Sequence, residues 1–224
     1  MSAIKRRTNG SGGGQKGCRA MALISVANDC LNPLSKIVDQ TLLSYRENQL
    51  NLDLECHRWP EMDDQCQQWI IQLTEDNMKT YYDESSNGWS RSNKLKEFRH
   101  KTSRHLVLRC ADTRRLIAFV HFRFEVGGTD SESAVYCYEL QVVASHQRLG
   151  IGRYLMSCLY AIGRAFNMHK VMLTVFKHNT IAMDFYAKTL KYRIDRSSPS
   201  RCQMNADYEI LCLTVDKKGP QIDK

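Results

Sequence analysis

Two segments of this chain carry residues whose types and spacing could do chemistry. The first is Gln147-Arg148-Leu149-Gly150-Ile151-Gly152, which follows a stretch that reads as a strand and opens one that reads as a helix. Successive main-chain N–H groups at a helix N-terminus form an anion site, and glycines let a pyrophosphate approach the backbone. The segment lacks the third glycine of a dinucleotide fingerprint and the Gly-Lys-Ser/Thr of a P-loop. It fits a plain helix start with a turn glycine equally well. The second segment is Tyr138-Glu139-Leu140-Gln141-Val142, in the strand immediately before that loop. Glu139 is a carboxylate that can face an acceptor there and take a proton from it, or be an ion-paired strand residue. Asn179, at the start of a later helix, reads by itself as an ordinary N-cap.

These residues need elements to hold them. The stretch from Ala20 is apolar and helical, with a break at Asn32-Pro33, and Leu52, Leu54 and Cys56 then alternate as in a strand. After Pro60, the residues Cys66, Trp69, Ile70, Leu73 and Asn77 share one helical face, and a short helix follows around Leu95 and Phe98. His105 to Asp112 and Leu116 to Val126 read as a hairpin, and Ala134 to Val143 as a third strand. Beyond the glycine loop come a helix with Leu155, Leu159, Ile162 and Phe166, a strand Val171 to Phe176, a helix Thr180 to Lys188 and a strand Tyr208 to Val215. This order predicts an α/β fold with a mixed sheet.

The chain has 224 residues, enough for one domain with a sizeable core. Its formal charge is +8, but Lys5, Arg6, Arg7, Lys16 and Arg19 all precede the first acidic residue, Asp29. Setting these five aside leaves 27 basic against 24 acidic residues, so the basic excess lies mainly in the tail. That tail, residues 1–19, contains Asn9-Gly10-Ser11-Gly12-Gly13-Gly14 and is expected to be disordered; it could touch the ribosome, chromatin or another acidic partner, or be merely solvated. The domain is expected over 20–216, with 217–224 as a short C-terminal tail. Nine scattered cysteines without a C-x-x-C pair predict a reducing compartment, in cytoplasm and nucleus, rather than disulfides or zinc. No run is apolar enough for a membrane span. A monomer is expected.

The order strand, Q-x-x-G-x-G, amphipathic helix, strand, helix resembles the acetyl-CoA loop of GNAT acetyltransferases. The resemblance implies the GNAT (acyl-CoA N-acyltransferase) fold, a mixed central sheet flanked by helices, with acetyl-CoA as co-substrate and no metal. It places the pantetheine arm along the main chain of Leu140, Gln141 and Val142, and the pyrophosphate on Gln147, Arg148, Leu149, Gly150, Ile151 and Gly152. Asn179 is aimed at the cofactor, and Phe185-Tyr186 matches the aromatic pair that closes the second motif.

Longer stretches resemble one branch, the N-α-acetyltransferase D (NatD) family, which acetylates histones at their amino termini. They include Leu73-Thr74 with Asn77-Met78 and Tyr82, Phe122-Arg123-Phe124, Tyr136-Cys137-Tyr138-Glu139, the run from Val171 to Asn179, Ile194-Asp195 with Ser197-Ser198-Pro199-Ser200, and Tyr208-Glu209-Ile210-Leu211. By this resemblance Glu139 is the catalytic base, main-chain N–H groups of residues 140–142 stabilise the oxyanion, and Tyr138 and Tyr186 are candidates for the general acid. Tyr82, Glu125, Tyr138, Thr174 and Tyr208 are the implied substrate contacts, joined by Asp195 or Ser197. The implied partners are histone tails beginning Ser-Gly-Arg-Gly, whose arginine Glu125 would hold. A second acidic position of the family is Gly127 here, followed by a longer loop with Asp130 and Glu132, and a family tryptophan is Asn87, with Trp89 retained. Broader amino-terminal or lysine acetylation, or binding without turnover, are the competing functions.

Overall fold

The computed structural model describes residues 14–129 and 131–216. Eight strands are present among them: β1 (Ser44–Tyr45), β2 (Leu52–His57), β3 (Arg104–Cys110), β4 (Leu116–Gly127), β5 (Glu132–Val142), β6 (Lys170–Phe176), β7 (Arg193–Ile194) and β8 (Tyr208–Thr214). They form one sheet in the order β1-β2-β3-β4-β5-β6-β8-β7. Only β5 and β6 pair in parallel, joined by helix α4 (Ile151–Ala165). The expected strands are all found; the two-residue edges β1 and β7 carry too few residues for an alternation to be read.

The remaining helices are α1 (Gly14–Asp29), α2 (Asp64–Asp83), α3 (Arg91–Phe98) and α5 (Thr180–Asp184), the last widening into a π-helical turn at Phe185–Thr189. The helix foreseen over Thr180 to Lys188 is thus two kinds of turn. Residues 14–19, expected in the tail, are the first turns of α1. Their glycine-rich composition disfavours helix, and the burial of Ala20, Ile24 and Ala27 on one face outweighs it. Residues 1–13, 217–224 and Asp130 lie outside the described residues.

The sheet separates two apolar layers. Leu106, Leu108, Val120, Phe122, Val135 and Cys137 pack with α1 and α4 on one face, and Val107 and Phe119 pack with Trp59, Ile70, Ile71 and Phe98 on the other. Phe98 is what anchors α3. It is fully buried, stacked on Trp59 at 5.6 Å and edge-on to Phe119 at 6.0 Å. Burying such a ring contributes about 2 to 3 kcal/mol, which an eight-residue helix too short to be stable alone requires. The same helix carries Lys94 into the interior.

Candidate active site

The parallel pairing of β5 with β6 covers only Ala134 to Cys137 against Lys170 to Leu173. Beyond Cys137 the two strands part, and residues 138–142 face a gap instead of a neighbour. Val143 N–H donates to Ile117 of β4, so strand alternation turns Gln141 N–H the same way and leaves those of Leu140 and Val142 facing the gap. The pairing of β4 with β5 slips here too: His121 opposes Glu139 while Phe122 opposes Cys137, which makes Tyr138 the extra residue of a bulge. The bulge sets consecutive residues on the same face. Tyr138 lies against His121 and under Arg123, and Glu139 turns toward α2 and α3.

At the mouth of the gap the chain turns into α4. Arg148 has φ 62° and Gly150, the N-cap, has φ 83°, left-handed conformations that point successive amides outward. A side chain at Gly150 would be strained by that angle and would also meet the Tyr45 hydroxyl, 2.7 Å from an added Cβ. Tyr45 and Asn48 both donate to the Leu149 carbonyl, and Gln147 Nε2 donates to the Val142 carbonyl at 3.1 Å. The loop is therefore fixed, and the first N–H groups of α4 are left for an anion. These features fit a coenzyme A pyrophosphate and an extended pantetheine arm. Ile151 itself packs in the core, and the Phe185 ring lies against Gly152. Asn179 caps α5 through its Oδ1, which accepts from Ala182 N–H at 3.1 Å.

Glu139 is buried and bonded on both oxygens. Lys94 Nζ donates to Oε1 at 2.6 Å, Tyr82 hydroxyl lies 3.4 Å from the same oxygen, and Gln141 Nε2 donates to Oε2 at 2.9 Å. Gln141, expected along the cofactor, thus turns its side chain to Glu139 and accepts from Asn77 Nδ2 at 3.0 Å. Lys94 is 4% exposed; its other donors reach Tyr82 hydroxyl at 2.9 Å and Glu97 at 2.8 Å. Burial pulls the Lys94 ammonium toward neutrality, but the Glu139 and Glu97 carboxylates win and hold its pKa well above the usual lysine range. Burial raises the Tyr82 phenol, with Glu139 adding to it. Glu139 is thus ion-paired, and it lies in the stretch of β5 that faces the gap.

The other tyrosines differ in what binds them. The Tyr138 hydroxyl donates to Glu125, 2.9 Å from each carboxylate oxygen, and burial followed by the Glu125 charge raises its pKa. The half-buried Tyr186 hydroxyl has no hydrogen-bond partner among the described residues, and burial keeps it protonated. Below Tyr138 lies a pair of stacked imidazoles, His121 on His105 at 4.9 Å. Burial lowers both, His105 to about 3, and His121 further through His105 and Arg123. His121 Nε2 and Arg123 Nε share the Ser103 hydroxyl.

Of the expected substrate contacts, Tyr82, Tyr138, Glu125 and Thr174 gather on one face, with Thr174 hydroxyl 2.5 Å from Tyr136. Tyr208 begins β8 opposite Phe176. The α2–α3 segment reaches across to it, since Ser86 donates through N–H and hydroxyl to Asp207, and His178 Nε2 lies 3.1 Å from the Tyr81 carbonyl. Trp89 rests edge-on against Tyr82. Ser197 and Asp195 are engaged with each other and with β6: the Ser197 hydroxyl and N–H both bond Asp195 Oδ1, and Asp195 pairs with Lys170 at 3.0 Å. A Cβ added at Gly127 would overlap Met172 Sδ, so a side chain there requires Met172 to shift. In the longer loop, Glu132 pairs with Lys170 at 3.2 Å.

Lys94, Asn77, Tyr45 and Asn48 are site residues the sequence reading missed as such, and Gln141, expected along the cofactor, was missed as a partner of Glu139. The i, i+3 pair Lys94 and Glu97 was visible, but such pairs usually lie on solvated faces. Among the described residues no cluster suits a metal ion and no helix is long and apolar enough to cross a membrane.

Solved structures share this architecture at low identity. Arabidopsis thaliana NAA60 in complex with acetyl-CoA matches with a TM-score of 0.54 and 13% identity, over 73% of this chain and 98% of that one. Ard1 from Thermoplasma volcanium matches at 0.50 and 15%, over 73% and 98%. Spermidine N-acetyltransferase from Vibrio cholerae, in complex with CoA and spermine, matches at 0.50 and 17%, over 74% and 96%. The family model described as the acetyltransferase (GNAT) family matches residues 57–192, more than half of the chain and all of the site from α2 to the π-helical turn. With the parted strands and glycine loop in place, this chain belongs to the GNAT acetyltransferase family.

Proposed function

We propose that this acetyltransferase acts on the α-amino group at the start of a protein chain, with histone tails beginning Ser-Gly-Arg-Gly as its substrates. One observation carries the reading: around the gap, the group left to take a proton is a carboxylate, Glu139. Lys94 is fully bonded as an ammonium, Tyr82, Tyr138 and Tyr186 are held as phenols, and the imidazoles are buried beneath. An α-amine has a pKa of about 8 and costs about 1.4 kcal/mol to deprotonate at pH 7, whereas a lysine at about 10.4 costs about 4.6 kcal/mol. A carboxylate suits the first far better. The α2–α3 segment tied to Asp207 favours a slender acceptor, and Glu125 lies further along the same face, where a substrate arginine would meet it.

Acetyl-CoA supplies the acetyl thioester. The α4 N-terminus holds its pyrophosphate, and the Nδ2 of Asn179 is the part of that side chain left for the cofactor. Leu140 and Val142 N–H groups face the gap and are the donors for the carbonyl oxygen as it gains charge. Glu139, directly or through a water, takes the proton of the attacking amine. Tyr138 has its proton committed to Glu125, which leaves Tyr186 as the donor to the departing sulfur. A thiol pKa near 8.5 makes that donation optional.

The test is acetyl transfer to two sets of peptides at pH 7, tails with a free α-amine and tails with that amine blocked but lysines free. The reading requires turnover on the first set and at least hundredfold less on the second. Comparable rates on both would replace it with broader amine acetylation, and release of no thiol with either would leave a binding module.

A further inference from the structure

We propose that Lys94 is a positioning residue of the acceptor site: bonded at once to Glu139, Tyr82 and Glu97, it fixes and neutralises the Glu139 carboxylate, so that the acceptor amine is held neutral there and not as an ammonium salt. The proposal rests on the reading that Glu139 serves the acceptor amine. Its basis is geometric. Lys94 has three N–H donors, and three oxygens at 2.6, 2.9 and 2.8 Å take them. The ammonium is 4% exposed and comes from α3, an element that holds none of the residues so far placed against substrate or cofactor.

A bare buried carboxylate beside an amine binds it best in the charged form, which has no lone pair and cannot attack the thioester. With Lys94 in place, Oε1 is already occupied by a cation and Oε2 by the Gln141 amide, so the site gains little by taking a second cation. Other titratable groups also face Glu139. Glu97 on α3 is tied to Lys94, and Tyr82 on α2, Cys137 and Tyr138 on β5 and Tyr186 in the π-helical turn are raised by burial. His121 on β4 and His105 on β3 are lowered by burial, and Arg123 on β4 is a permanent cation bonded to Ser103. Binding of the acceptor should therefore follow the titration of its own amine.

The experiment is calorimetric binding of a Ser-Gly-Arg-Gly tail to the enzyme loaded with CoA, which cannot react, between pH 6 and pH 8. A des-amino tail is the control, expected to bind independently of pH. If only the neutral amine binds, the parent gains about fortyfold in affinity over that range for an amine pKa near 7.8. Lys94→Met should abolish or reverse this gain, binding the tail more tightly at pH 6 while its turnover at pH 7 falls at least tenfold. Lys94→Met/Glu97→Gln, which removes one carboxylate with the ammonium, should do the same and serves if the single variant does not fold. A parent whose binding is flat with pH, or folded variants that keep the fortyfold gain, would overturn the role of Lys94. Full turnover in Glu139→Gln would instead overturn the reading beneath it.

Discussion

Replacing Glu139 by glutamine keeps shape and removes basicity, and the structure says what else it disturbs. Oε1 receives Lys94, so the new amide must present its oxygen there and its NH2 toward Gln141. That NH2 would meet another NH2, because Gln141 donates through Nε2. Gln141 can turn over only by facing its NH2 to Asn77, whose own Nδ2 donates to both Gln141 Oε1 and the Val142 carbonyl. One buried bond is lost along this chain, at a cost of about 1 to 3 kcal/mol. For a chain of this size that lowers Tm by about 2 to 12 °C, leaving the protein folded. The loop that meets acetyl-CoA is untouched, so calorimetry should find its affinity within twofold of the parent. Turnover should fall about 10²- to 10⁴-fold, the usual contribution of a positioned base. The assay is the initial rate of thiol release with a Ser-Gly-Arg-Gly peptide at pH 7. A rate within threefold of the parent, on a variant that binds acetyl-CoA normally, would refute the assignment of Glu139.

Gly150→Val must adopt φ near 83° and push against Tyr45, so its acetyl-CoA dissociation constant should rise at least tenfold by calorimetry; an unchanged constant would place the pyrophosphate elsewhere. Glu125→Ala should cost about 1.5 to 3 kcal/mol, roughly ten- to hundredfold in kcat/KM, on tails with arginine third and little on tails with alanine there. Additive effects in that double-mutant cycle would mean that the arginine is read by another group. Deleting residues 2–13, ahead of the first helix, should leave the rate on a short peptide within twofold of the parent, and a collapse would make them part of the active fold.

The strand–loop–helix of the cofactor side was legible because backbone chemistry dictates it: an anion site needs glycines and a helix start, and both are written at Gly150 and Gly152. The hairpin of β3 and β4 was legible because two apolar, aromatic-rich runs flank the turn-like residues 112–115, whereas its register comes only from the structure. What sequence could not give is the bulge at Tyr138. A one-residue slip against β4 leaves no mark in composition, yet it decides that Tyr138 and Glu139 share a face. Nor could it give Lys94, a charged residue on a polar-looking helix that Phe98 and Leu95 pull inward. The substrate side was half legible. The resemblance named Ser197 and Asp195 without showing that Asp195 pairs with Lys170, and Gly127 without showing that a side chain there would meet Met172 Sδ.

The central claim, that a carboxylate beside the gap serves an α-amine, is tested most directly by locating the transferred acetyl group. A Ser-Gly-Arg-Gly tail with internal lysines is incubated with enzyme and acetyl-CoA and sequenced by tandem mass spectrometry. The account predicts a single acetyl on the α-amine of the first residue and none when that amine is blocked. Acetyl on the lysine side chains, at rates comparable with the amino terminus, would contradict it.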